Sequence, residues 1–208
     1  MKKLFEHMYK TNIGNNAPGS WTISSCYDKL NFLFESLSEL EWEEPKKLLY
    51  SENNIRRTAA HLNLPYETVQ TWMDDPEFEC YKDHVVEFRR PKSNEVFLAV
   101  KNFISDFLKL RDPVIFLQDL KPGGITPWHI DGKKHLEYNL KEEEEHLVER
   151  HIIFLEDQKP GQIWQINDDF IKWKIGDILT WSQSTAPHGT ANIGYHSRPV
   201  LMVTGVKK

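Results

Sequence analysis

Cysteine is nearly absent from the chain: Cys26 and Cys80 are the only two in 208 residues. They have neither the spacing of a thiolate metal site nor the numbers for a disulfide framework, so a reducing cytoplasm is the expected compartment. Long apolar runs are also missing. No stretch of about 18 apolar residues occurs, and Met1 to Lys10 is too charged for a signal peptide, so neither a membrane span nor secretion is expected. There is no excess of one charge either. The net charge is −5, with 15 basic and 18 acidic groups in residues 1–112 and 11 and 13 in residues 113–208. That balance argues against an electrostatic partner such as nucleic acid or a membrane surface. No repeat or low-complexity tract is present. What the chain does have is 39% hydrophobic and 12% aromatic residues, enough to bury one sizeable core in one compact unit.

The pattern divides that unit into two parts. Residues 1–112 read as a mainly helical region packing on a barrel. After an irregular lead-in over residues 11–21, Leu30, Leu33, Phe34, Leu37 and Leu40 recur at helical spacing, predicting an amphipathic helix that starts at Ser24 or Ser25 and buries its stripe in the core. Ser93 to Leu110 predicts the strongest helix, with Val96, Val100, Phe103, Ile104, Phe107 and Leu110 on one face and Ser93 or Asn94 as its cap. Asp112-Pro113 closes the helical part. Residues 113–208 alternate short β runs, beginning with Val114 to Leu120, with turn residues: Pro122-Gly123-Gly124, Asp131-Gly132, Pro160-Gly161, Asn167-Asp168-Asp169, Gly176-Asp177 and Gly194. Short strands at such intervals point to a sandwich or jelly roll rather than a parallel α/β sheet. The acidic run Lys141 to Glu145 reads as a solvated loop.

The chemistry concentrates between Pro127 and Gly205. On an extended strand His129 and Asp131 point the same way while Ile130 points the other. A second imidazole from a distant strand completes a set of two His and one carboxylate, which leaves three positions of an octahedral ferrous ion open. His188 is the preferred third ligand, because it follows the strand-like run Asp177 to Trp181 and precedes Arg198 by ten residues; His135, His151 and His196 are its rivals. Arg198 opens the apolar run Val200 to Val203, where a guanidinium without an anionic partner would be costly. For Arg150 an ordinary salt bridge and a ligand contact are both open. Trp128, Trp164, Trp173 and Trp181 read first as core, with Trp128 and Trp181 close enough in sequence to the ligands to wall a pocket.

His-x-Asp, a distal His and an Arg ten residues later on a final strand together resemble the iron(II)/2-oxoglutarate-dependent oxygenases, over roughly the C-terminal half. The resemblance implies an α+β protein built on a double-stranded β-helix, a jelly-roll or cupin-like barrel with supporting N-terminal helices. It further implies Fe(II) held by His129, Asp131 and His188, 2-oxoglutarate as co-substrate, and dioxygen. Arg198 then grips the far carboxylate of 2-oxoglutarate. The implied outcome is hydroxylation of an amino-acid, peptidyl or other small-molecule substrate. Val148 to Leu155 is also similar to the aspartyl/asparaginyl hydroxylase-like branch, which has an Arg where Arg150 stands and so implies a co-substrate or substrate contact there. The chain departs from that branch in having Asp131. It departs from many family members in having Val200 where a Ser two residues after the clamp Arg helps hold the same carboxylate; Arg150, Thr204 and Gln118 are the candidates to replace it. Neither the prime substrate nor the oligomeric state is written in the sequence.

Two other classes stay open. A cupin-like metalloprotein that does not use 2-oxoglutarate shares the barrel and the metal. A helix-turn-helix DNA reader matches the rhythm of residues 57–72, where Asn63 can take the turn and Val69 and Trp72 fall on a second helix. Against that reading, Tyr66 to Glu79 carries Glu67, Asp74, Asp75, Glu77 and Glu79 and no Lys or Arg, the opposite of a phosphate-binding footprint.

Overall fold

A computed structural model of the chain describes residues 21–44, 46–48, 67, 86–129, 147–182 and 186–208, with the backbone alone at 46–48, 86 and 127–129. Among the described residues two antiparallel sheets face each other. The larger has seven strands, in the order β1 (Trp21–Ser25), β9 (Asp177–Ser182), β6 (Val148–Phe154), β11 (Arg198–Lys207), β4 (Leu110–Leu120), β3 (Val86–Arg89) and β2 (Lys46–Leu48). The smaller has four, in the order β5 (Ile125–His129), β10 (His188–Asn192), β7 (Gln162–Ile166) and β8 (Asp169–Phe170). This is a jelly-roll barrel, a double-stranded β-helix. Helices α1 (Asn31–Leu37) and α2 (Glu95–Phe107) pack outside the larger sheet.

The larger sheet is therefore buried on both faces. Its inner face meets the smaller sheet through Ile152, Phe154, Leu179, Trp181, Val200 and Met202, packed against Trp164 and Ile166. Its outer face meets the helices through Ile153, Ile178, Leu201 and Val203, packed against Leu30, Leu33, Val100 and Ile104. A strand covered on both sides needs apolar residues at successive positions rather than alternate ones, which is why β11 reads Val-Leu-Met-Val at 200–203. Phe154 anchors the inner layer, stacked on Trp173 at 4.5 Å between ring centroids and edge-on to Trp164 at 5.8 Å. Burying such a ring stabilises the fold by about 2–3 kcal/mol.

The α2 helix matches the expected apolar stripe, and its cap is Asn94, whose Oδ1 accepts from the Phe97 N–H at 2.8 Å. It stops at Phe107. The chain reverses through Lys109 in the left-handed region, φ 57°, and β4 begins at Leu110, before Pro113 rather than after it. The expected helix from Ser24 or Ser25 is a correction. Trp21 to Ser25 is a strand, paired with β9 from Trp21↔Trp181 to Ser25↔Asp177, and the helix is confined to Asn31–Leu37 after one 3-10 turn. Long-range pairing of Trp-Thr-Ile overrides the local helical spacing. Of the part expected to be mainly helical, the described residues thus supply three strands of the larger sheet as well as two helices. Among the described residues no helix is long and apolar enough to cross a membrane.

The expected turns at Pro122-Gly123-Gly124, Pro160-Gly161, Asn167-Asp168, Gly176 and Gly194 join the strands. Gly161 requires the absence of a side chain: its φ is 85°, and a Cβ there would lie 2.4 Å from the Gly194 backbone nitrogen. Residues 57–72 apart from Glu67, and residues 141–145, lie outside the described residues.

Candidate active site

The inner face of the smaller sheet carries Gln162, Trp164 and Ile166 from β7 and His188, Thr190 and Asn192 from β10, all buried. On its other side β10 pairs with β5, and there the register changes. Thr190 stands opposite Thr126, but His188 stands opposite His129, so three steps on β5 span two on β10. The extra residue falls at Pro127-Trp128, a bulge made easier by a proline that has no ladder N–H to lose. Without it, positions 126 and 129 would lie on opposite faces of β5; with it, both stand across from inward-facing residues of β10. The bulge thus brings the backbone of His129 beside that of His188. Asp131, the expected carboxylate ligand, lies outside the described residues. No cluster of three metal-ligating side chains is assembled among those that are described.

The His188 side chain is 6% exposed and its Nδ1 lies 3.0 Å from the Ala186 carbonyl oxygen. That contact assigns the proton to Nδ1 and makes Nε2 the lone-pair nitrogen, the tautomer a metal-binding imidazole needs. The ring leans on Trp181 with centroids 4.7 Å apart. Trp181 in turn meets Trp164 edge-on at 6.3 Å, and the Arg198 guanidinium sits 4.7 Å from the Trp164 ring centroid. A continuous run of ring contacts therefore links His188 to Arg198.

Arg198 opens β11 at the inner face and is 2% exposed. Its Nη1 donates to the Ile163 carbonyl at 3.1 Å and to the Thr190 hydroxyl. Thr190 can accept because its own proton goes to the Ile163 carbonyl, 2.7 Å away. The other two nitrogens, Nε and Nη2, are buried without a hydrogen-bond partner. Those two form one edge of the guanidinium, a pair of parallel N–H groups spaced for the two oxygens of a carboxylate. Burial pushes the Arg198 pKa down to about 9, partly offset by the charge of Asp119. A cation held this way, with no partner on that edge among the described residues, could receive an anion. This is the fit expected of a dicarboxylate co-substrate, and the His188 tautomer is the fit expected of a metal.

Arg150 also faces the barrel interior, but at a different place. It stands opposite Thr204 on β11 and Trp181 on β9. Thr204 is six residues along β11 from Arg198, a separation of about 20 Å at the rise of an extended strand. Arg150 and Thr204 therefore lie toward the Trp181 end of the inner face, whereas Gln118 stands diagonally across from Arg198. Of the rival histidines, His151 points out of the barrel, with Nδ1 2.8 Å from the Thr180 hydroxyl and Nε2 3.5 Å from Glu149, whose pKa it lowers. His196 is exposed in the segment before β11, and His135 lies outside the described residues.

Thr190, which orients Arg198, was not singled out by the sequence, although His-x-Thr alternation puts it on the face of His188. Trp164, read as core, is core and also the platform beneath the guanidinium.

No family model matches the chain, and no curated protein matches it. Among solved structures, it is similar to an oxidoreductase of the 2OG-Fe(II) oxygenase family from Burkholderia pseudomallei, at 10% identity and a TM-score of 0.54, over 96% of this chain and 94% of that one. It is also similar to a Pseudomonas putida prolyl-4-hydroxylase, at 15% identity and a TM-score of 0.41 over 84% and 97% of the two chains. A third is a predicted oxalate decarboxylase from Thermotoga maritima, at 17% identity and a TM-score of 0.37 over 59% and 81%. At these identities the likeness is one of fold, and the fold is the cupin-type double-stranded β-helix.

Proposed function

We propose that the protein is an Fe(II)- and 2-oxoglutarate-dependent dioxygenase that hydroxylates an unactivated C–H bond of an amino-acid, peptidyl or other small-molecule substrate, with release of succinate and CO2. The observation that carries this reading is the paired Nε and Nη2 edge of Arg198, buried without a partner on the same inner surface as His188. A solved structure of a 2OG-Fe(II) oxygenase family member, similar over nearly the whole chain, supports it at the level of fold.

In this reading His129, Asp131 and His188 hold the iron and Arg198 holds the far carboxylate of 2-oxoglutarate. Iron and keto acid together supply the oxidation that no side chain can perform. The chain supplies the rest. The Ala186 carbonyl keeps the proton on His188 Nδ1 and so keeps Nε2 basic. Thr190 and the Ile163 carbonyl hold one side of the guanidinium so that its other edge faces the ligand. Trp164 and Trp181 exclude water along the path between the two ends. Arg150, opposite Trp181, would contact the substrate or the co-substrate.

Anaerobic titration with Fe(II) and then 2-oxoglutarate tests the reading through the weak visible charge-transfer band of the chelate. The band is expected for the wild type and lost in Arg198→Ala. A cupin-like metalloprotein of another kind would bind iron equally well in both.

A further inference from the structure

Inside the barrel, one buried side chain has a polar group that nothing described so far uses. Gln118 on β4 is 5% exposed, and its Oε1 has no hydrogen-bond partner. It stands opposite Val200 on β11 and Phe88 on β3, both packed in the inner cluster, so it faces the barrel interior. Arg198 lies two residues before Val200, on the same face of β11, opposite Leu120. Gln118 is thus the diagonal cross-strand neighbour of Arg198, at a spacing of about 7–8 Å that long side chains bridge. A buried acceptor without a partner costs stability, and the same amide carries two N–H donors on Nε2 that can turn toward a neighbouring anion.

We propose that Gln118 is a co-substrate positioning residue, its amide donating to the same terminal carboxylate that Arg198 grips and replacing, from the adjacent strand, the donor that Val200 cannot provide. This rests on the functional reading above. A glutamine fits the place better than a second cation would. It adds a directional hydrogen bond beside Arg198 without setting two buried like charges next to each other when the ligand is away.

The test uses the full chain with Mn(II) bound and titrates 2-oxoglutarate and pyruvate, which keeps the 2-oxo acid but lacks the second carboxylate. Gln118→Leu is expected to weaken 2-oxoglutarate binding about tenfold, to leave pyruvate binding unchanged, and to melt no lower than wild type without ligand. Gln118→Glu, which sets a carboxylate against the ligand's, is expected to weaken 2-oxoglutarate further and serves alone if the leucine variant does not fold. Equal loss for both ligands overturns the proposal, because the effect would then be general disturbance of the barrel. Wild-type 2-oxoglutarate binding in either Gln118 variant also overturns it. In that case Arg198→Gln separates the two levels: if it loses 2-oxoglutarate, only the role of Gln118 fails, and if it binds normally the functional reading fails with it.

Discussion

His129 stands opposite His188 across the β5–β10 pair only because β5 carries one residue more than its partner between positions 126 and 129. In a regular ladder Thr126 and His129 could not both stand across from inward-facing residues. The first expectation concerns that extra residue. His129→Ala and His188→Ala should each weaken Mn(II) binding by more than about 100-fold, whereas deleting Trp128, which leaves two steps on each strand, should keep position 129 opposite His188 and preserve binding. Equilibrium dialysis measures it, with circular dichroism checking that the sheets persist. Unchanged metal affinity in both histidine variants would falsify the ligand assignment.

A second expectation has opposite signs for stability and binding. Arg198 holds its charge in the core with Nε and Nη2 unpaired. Arg198→Met removes a buried cation that only the more distant charge of Asp119 offsets, and keeps most of the side-chain volume. The ligand-free variant should melt about 2–4 °C above wild type, while the stabilisation that 2-oxoglutarate gives the wild type disappears. Differential scanning calorimetry with and without ligand reads both.

The third follows from the lowered pKa. Burial on folding depresses the Arg198 pKa from its ordinary value to about 9, so at neutral pH the cation costs stability, and the cost lessens as pH rises through 9. A bound carboxylate does the reverse and holds the proton on. Affinity for 2-oxoglutarate should therefore be level below pH 9 and fall above it, by up to about tenfold per pH unit. Calorimetric titrations across that range check it, and ligand-free melting of wild type against Arg198→Met should show the difference between them narrowing over the same pH range.

The fourth concerns the corner before β11, which sets where Arg198 begins. Asn192, fully buried, donates through Nδ2 to the carbonyls of Leu120 and His196, both at 2.8 Å, and accepts from the Gly194 N–H. Asn192→Ala leaves these groups unpaired and should cost about 2–3 kcal/mol. Gly161→Ala, which forces a side chain into the Gly194 backbone, should cost a similar amount. Thermal melts should fall by about 5 °C or more in each.

The sequence made the larger features legible because their causes are local. The two-sided burial of β11 is written in Val200 to Val203, the α2 cap in Asn94, and the barrel's corners in the glycines and prolines. The ten-residue interval from His188 to Arg198 spans one short strand and one corner, so it survives as a recognisable spacing. What escaped is set by partners far along the chain. Trp21 to Ser25 became a strand because β9 was available to pair with it, which helical spacing at Leu30 and beyond could not reveal. The bulge at Pro127-Trp128 has a local hint in the proline, but its effect depends on the register of β10. The distance between Arg198 and Arg150 follows from pairing across β11, and only that pairing separates two arginines that a linear reading grouped together.

Strand β11 lies between β6 and β4, with core packed above and below it, and cannot slide along its axis without disturbing every layer of the molecule at once. The guanidinium at its first residue is therefore a fixed end-stop. On the proposed reading, the barrel interior between it and His188 becomes a gauge of set length, and a keto acid one methylene too short would have to forgo either the metal or the arginine.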